Sequence, residues 1–276
     1  MNLLLEVNDV SFNWGENDVL KNLNLDIREN ELVSLLGVNG AGKSTLLKCL
    51  NRILLPELGE IRALSKDINE MDLIQLSKIM SYVPQSVRSS FTMDVFDVVL
   101  LGRRPHINWI ISNEDRDKVS NTLRFLNLEN FAFRRFNELS GGERQRVIIA
   151  KAIAQDPSIF LLDEPTSDLD LKSQIEIMKK LKELISNPES PNSALVAIHD
   201  INIAARFSDR ILLLHEGKIL ASGKPIEVLT VENIAMVFGV SSSIEWWNDS
   251  YIRVMIEDEI KEKAVSYTHL TLPTRL

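Results

Sequence analysis

The sequence predicts an α/β fold: a sheet of buried strands, an antiparallel β subdomain on its N-terminal side, and an inserted α-helical subdomain. Three observations predict it. Residues 159–162 (Ile-Phe-Leu-Leu) and 194–198 are continuous apolar runs, as expected of strands covered on both faces. Residues 3–12 and 19–27 read as strands around a turn at Trp14-Gly15 and Asn17-Asp18. Residues 86–158 carry helical patterns and no clear strand.

The elements justify this in order. In residues 19–27, apolar side chains at 23, 25 and 27 mark a half-buried strand. Residues 31–36 lead into Gly37-Val-Asn39-Gly40-Ala41-Gly42-Lys43-Ser44-Thr45, which matches the phosphate-binding pattern GxxxxGK(S/T) between a strand and a helix over 44–51. The glycines let backbone N–H groups close around a phosphate, Lys43 suits the β and γ oxygens of a nucleotide, and the Ser44 hydroxyl suits Mg²⁺. A short strand over 59–63 and a helix over 73–77 follow, then a strand stopped by Pro84, with Gln85 after it. Taken alone, Gln85 is a solvated amide as readily as a contact to a γ-phosphate. Helices are expected over 94–101, 115–126, 141–155 and 171–186, the last with apolar residues at 175, 177, 178, 181, 184 and 185. The strand over 194–198 ends at His199, a hairpin turns at Glu216-Gly217, and a helix covers 231–238. No firm element is assigned in the 240s.

Residues 139–170, LSGGERQRVIIAKAIAQDPSIFLLDEPTSDLD, concentrate the chemistry. Ser140 and two glycines open a basic helical run, a start that offers free N–H groups and a hydroxyl to an anion. The strand over 159–163 ends in Asp163-Glu164, at the edge where open α/β sheets hold ligands. One carboxylate suits a hard Mg²⁺ and the next a base for an attacking water. A phosphate grip, a metal holder and a base together point to nucleotide hydrolysis.

A chain of 276 residues with 45% hydrophobic content buries an ample core. The net charge of −8 argues against a nucleic-acid partner. A lone cysteine, Cys49, forms no intrachain disulfide and fits a reducing cytosol. No signal peptide or spanning segment is apparent, so a soluble chain is expected that any membrane role would tether through a partner.

The ordered set GVNGAGKST, YVPQ, LSGGE, IFLLDEP, SDLD and AIHD resembles the ATP-binding subunit of an ATP-binding-cassette (ABC) transporter, over residues 1–240. The resemblance implies a P-loop NTPase core of RecA-like type, with residues 86–158 as the signature subdomain. It implies that Trp14, in a slot usually held by Tyr, stacks on adenine, although a packed turn aromatic reads equally well from the residues. It implies that Gly37, Asn39, Gly40, Ala41, Gly42, Lys43, Ser44 and Thr45 hold the ATP phosphates, and that Ser44, Gln85 and Asp163 hold Mg²⁺. Glu164 would be the base, with Lys43, Gln85 and His199 completing the catalytic set; a histidine after a buried strand is otherwise a structural residue. Ser140, Gly141, Gly142 and Glu143 would close on the ATP of a second subunit, head to tail, with Ser167, Leu169 and Asp170 crossing an isologous homodimer interface. Glu143 stands where Gln is commoner and is expected to be peripheral to the phosphates, without loss of activity. Asp168 departs from the small residue frequent in that loop.

Residues 97–106, ending Gly102-Arg103-Arg104-Pro105-His106, resemble the GRxPH segment of importers of iron–siderophore complexes, haem and cobalamin, near the groove for the permease's coupling helix. From the residues alone the same segment is a solvated loop. The implied assembly has two of these chains, integral membrane permease subunits and an extracytoplasmic substrate-binding protein, at the cytoplasmic face of the membrane. The alternatives are the cassette of another ABC transporter, a non-transport ABC ATPase and a module that holds ATP without cleaving it; Glu164 and His199 speak against the last. Residues 241–264 are read as a C-terminal extension. Residues 265–276 read like a translated sequencing adapter and are expected to be non-native and disordered, with His269 irrelevant.

Overall fold

The structure, a computed structural model, describes residues 2–86, 92–247 and 250–260; the adapter-like tail lies outside them. The first two strands, β1 (Leu3–Trp14) and β2 (Asn17–Arg28), form an antiparallel hairpin. After β3 (Leu32–Leu36) and α1 (Lys43–Leu50), β4 (Leu58–Ala63) returns to pair with β1, and the short β5 (Lys66–Asp67) completes a four-stranded sheet in the order β2-β1-β4-β5. Next come α2 (Leu73–Ile79) and β6 (Met80–Val83).

The insertion holds α3 (Val95–Leu100), α4 (Asn113–Phe125) and α5 (Gly141–Ala154), and among its described residues only an isolated bridge, Asp94 to Arg135, is extended pairing. The sheet resumes with β7 (Ile159–Asp163), α6 (Leu171–Ile185), β8 (Ser193–Ala197), α7 (Ile201–Phe207), β9 (Arg210–His215) and β10 (Lys218–Gly223). Then α8 (Pro225–Val228) and α9 (Val231–Phe238) precede the hairpin of β11 (Val240–Trp247) and β12 (Tyr251–Glu259). The second sheet runs β10-β9-β3-β8-β7-β6; its strands are parallel except β10.

Parallel strands buried on both faces need apolar residues at every position, and their two faces feed two cores. Ile159 and Leu161 of β7, with Val33 and Leu35 of β3, join the core shared with the antiparallel sheet and α1. Phe160 and Leu162, with Leu32 and Leu36, join the core shared with the insertion and the C-terminal helices. Both cores therefore clamp the strand whose end carries Asp163.

Capping corrects one expected boundary. Helix α4 begins two residues before the expected 115, because Ser112 and Asp115 form a capping box: Asp115 N donates to Ser112 Oγ at 3.1 Å and Ser112 N to Asp115 Oδ2 at 3.1 Å. The 240s, left without an element, are a strand because β11 pairs with β12 and Ile252 and Val254 sink into the core. Asn202 of α7 fastens that hairpin: its amide donates to Val254 O at 3.0 Å and its oxygen accepts from Val254 N at 2.8 Å.

The Gly102–His106 segment is not a solvated loop. Arg103 is buried, donating to Asp115 Oδ1 at 3.0 Å and to Ala154 O at 3.0 Å, while His106 Nε2 lies 2.8 Å from Gln155 O. Gln155 in turn donates to Met80 O at 2.8 Å, so the insertion is tied to the start of β6. Gly102 allows this closeness, since a Cβ there would stand 2.1 Å from Lys151 O of α5. Substituting Gly102→Ala should cost about 1–3 kcal/mol by forcing α3 off α5. Chemical denaturation checks it; an unchanged midpoint would show that the helices can part without cost.

Candidate functional site

The phosphate-loop residues occupy the turn between β3 and α1, which share one core through Val33, Leu35, Leu46 and Leu47. Gly37 passes close under β9, where a Cβ would meet Leu214 O at 2.5 Å. Lys43 begins α1 and is 5% exposed; its Nζ donates to Gly37 O at 2.9 Å and Val38 O at 3.1 Å and lies 4.0 Å from Glu164 Oε1. Burial pushes its ammonium below the ordinary value, opposed by the Glu164 and Asp163 charges.

Asp163 is the last residue of β7 and is buried. Ser44 Oγ donates to its Oδ1 at 2.9 Å and Tyr82 OH to its Oδ2 at 3.2 Å. Burial first, and the Asp163 charge second, push the Tyr82 phenol up, so it stays a hydrogen-bond donor. Glu164 follows with φ 46°, a left-handed backbone conformation. Its amide donates to Ala197 O at 3.1 Å, anchoring that turn on β8. Gln85 Nε2 donates to Glu164 Oε2 at 2.7 Å, and His199 Nδ1 lies 3.9 Å from the same oxygen.

Lys43, Ser44, Gln85 and Glu164 meet in a polar cleft of about 480 Å³. Trp14, Asn39, Gly40, Gly42, Lys43, Ser44, Thr45, Gln85 and Glu164 line it, while Gly37, Ala41, Asp163 and His199 stand outside its lining. Trp14 is 57% exposed at the rim, edge-on to Phe12 with ring centroids 5.2 Å apart, and so presents an open face to a planar group. Gln85, expected to meet a γ-phosphate and metal, donates here to the carboxylate of Glu164.

None of Ser140, Gly141, Gly142 and Glu143 lines this cleft. They form the start of α5, where Glu143 Oε2 accepts from Ser140 Oγ at 2.7 Å and Ser140 N at 2.8 Å. Asp170 caps α6, accepting from Ser173 N at 2.9 Å, and Ser167 Oγ donates to Glu164 O at 3.1 Å. Leu169 is buried within its own chain, close to Gly142. The start of α5 and the backbone of Glu164 are thus connected within one chain.

The ABC transporter family model matches residues 20–167. An uncharacterized ABC transporter ATP-binding protein of Methanocaldococcus jannaschii is 48% identical over 88% of this chain and 94% of its own. The chain belongs to the ABC transporter family. Two relatives carry more specific names. The petrobactin import ATP-binding protein FpuC of Bacillus anthracis is 38% identical, covering 87% of this chain and 89% of its own. The hemin import ATP-binding protein HmuV of Bordetella avium is 36% identical, covering 88% and 94%. Among solved structures, a transporter described as metal-chelate type, in an inward-facing conformation, aligns with TM-score 0.80 at 30% identity over 93% of this chain and 98% of its own. A dimeric post-hydrolysis ATP-binding cassette with ADP and Pi aligns with TM-score 0.71 at 34% identity over 80% and 99%.

The protein is an ATP-hydrolysing ABC cassette. Three residues at or behind the cleft escaped the sequence reading. Asn17 and Val19 line the cleft from β2, and Tyr82 holds Asp163. Residue alternation reports only that Tyr82 is half-covered in a strand; the partner it meets depends on β6 lying beside β7. Substituting Tyr82→Phe should raise the Mg²⁺ concentration needed for half-maximal ATPase by about tenfold, the worth of one hydrogen bond to a charged group. A Mg²⁺ titration at fixed ATP checks it; an unchanged half-point would place the phenol outside the function of Asp163.

Proposed function

We propose that this chain is the ATP-hydrolysing subunit of an importer of iron chelates, of the siderophore, haem or cobalamin class, acting at the cytoplasmic face of the membrane through partner permease subunits. The petrobactin and hemin import relatives and the metal-chelate type structure support that class. Among the described residues no helix is long and apolar enough to cross a membrane, which fits a subunit held there by others. A groove of about 520 Å³ beside the Gly102–His106 segment, with Leu73, Ile74, Leu101, Arg104 and Pro105 in its wall, supports docking of a permease element.

Two copies close head to tail on two ATP molecules in this reading. The absence of Ser140 from its own cleft supports it, as does the dimeric cassette relative. Trp14 covers the adenine, the phosphate-loop amides receive the phosphates, and Lys43 exchanges its two loop carbonyls for phosphate oxygens. Ser44 and Asp163 present hard oxygens side by side, and Gln85 lines the same cleft as Ser44, a donor set that fits Mg²⁺. Among the described residues no cluster of three His, Cys, Asp or Glu side chains forms a metal cage, and a Mg²⁺ ion that arrives on a nucleotide needs only one or two protein oxygens. When bound, Mg²⁺ neutralises charge on the β and γ oxygens.

Glu164 polarises the attacking water. Its carboxylate is held by Gln85 on one oxygen and faced by His199 at 3.9 Å, so it points one way before the nucleotide enters. Its placement, 14% exposed and 4.0 Å from Lys43 on a left-handed backbone, carries the reading. Hydrolysis is then a matter of position and charge rather than covalent chemistry. Substituting Glu164→Gln keeps the shape, removes the base and should lower ATPase turnover by about 10²–10⁴. Light scattering should then find an ATP-dependent doubling of mass. Native turnover in Glu164→Gln would remove Glu164 from the role of base.

A further inference from the structure

The start of α5 already holds an anion of its own. Ser140 caps this 14-residue helix, and Glu143 Oε2 takes both its hydroxyl, at 2.7 Å, and its backbone amide, at 2.8 Å. Glu143 N closes the ring onto Ser140 Oγ at 3.3 Å. A hydroxyl has one proton, so while Ser140 donates to Glu143 it donates to nothing else. A helix N-terminus favours a bound anion, and here the carboxylate takes the place a phosphate would seek.

The carboxylate is charged at neutral pH. The Ser140 hydroxyl and amide hold it below the ordinary glutamate range, with smaller help from Arg146 and Arg134. Among the described residues, no ion pair within 4.0 Å involves Glu143, so Arg146 and Arg134 offset its charge only from a distance. Capping does not require that charge. A glutamine at the same position completes the same box with its carbonyl oxygen.

We propose that Glu143 is an electrostatic brake on closure of the two cassettes: its carboxylate occupies Ser140 in the separate chain and opposes the ATP phosphates that Ser140 meets in the partner copy. This rests on the head-to-tail reading above. Closure then requires ATP to displace an internal anion, so the paired state forms only when nucleotide is abundant. The brake also eases reopening, because the same negative charge stays beside the phosphates. Glu143 is a positioning residue here, acting on the nucleotide through Ser140.

The test compares Glu143→Gln and Glu143→Ala, each combined with Glu164→Gln, against Glu164→Gln alone. Light scattering reads the ATP concentration at which half of the protein is dimeric. Removing one charge about two hydrogen bonds from a phosphate should lower that concentration by about tenfold in both doubly substituted chains at low salt. The gap should narrow as salt rises toward 1 M, where the screening length falls to about 3 Å. Thermal melting separates the cap from the charge: Glu143→Gln should melt as the parent does, and Glu143→Ala should melt lower. An ATP requirement unchanged or raised in Glu143→Gln overturns the brake, as does a drop confined to Glu143→Ala, which would trace to the cap. If Glu164→Gln alone fails to dimerise with ATP, the head-to-tail reading falls and the brake falls with it.

Discussion

Two adjacent carboxylates at the end of a buried strand cannot be left without partners, and that constraint organises this molecule. Asp163 and Glu164 sit where β7 leaves the sheet, and each is answered by groups from other elements. Ser44 and Tyr82 donate to Asp163; Gln85 donates to Glu164; Lys43 lies between the pair and its own loop. Those partners come from α1, β6 and the turn after β6, so the site exists only when β3, β7 and β6 hold their places. The two cores on either face of the sheet fix those places. A buried charge stripped of a partner costs several kcal/mol, so the carboxylate pair and the sheet order depend on each other.

The insertion reads the same junction from a distance. Gly142 at the start of α5 lies against Leu169, and Ser167 of that loop donates to the backbone of Glu164. At the far end of α5, Gln155 is tied to Met80 at the start of β6, the strand that delivers Tyr82 and Gln85. Both ends of one helix therefore touch segments that hold the carboxylates. A load applied at the Gly102–His106 segment, which Arg103 and His106 fasten to α4 and to the end of α5, has a physical route to the cleft.

Much of this was legible in the sequence, and the limit is a physical one. The phosphate loop is readable because its conformation demands glycine at fixed spacing before a lysine. The two-faced strands are readable because a strand covered on both sides leaves no polar position. Contacts between strands distant in sequence are another matter. The Tyr82–Asp163 bond depends on β6 pairing with β7, and no local pattern encodes which strand lies beside which. The last hairpin was missed for a similar reason: three serines in a row at 241–243 give no alternation, and pairing with β12 supplies what the pattern lacks. The Gly102–His106 segment shows a third case, in which polar residues that read as a surface loop are internal struts. Charge in a sequence does not report exposure when the partner carboxylate, here Asp115, lies on another helix.

Completion of one cleft by another copy of the chain is tested most directly by proximity between copies. One population would carry Asn39→Cys and the other Gly141→Cys, both with Glu164→Gln. The native Cys49 is buried and its thiol is pushed up to about 12 by burial, so it stays out of the reaction. Oxidation of the mixture with ATP should give a disulfide-linked species of twice the chain mass, and without nucleotide should give far less. Equal yields with and without ATP, or no linked species at all, would contradict the account.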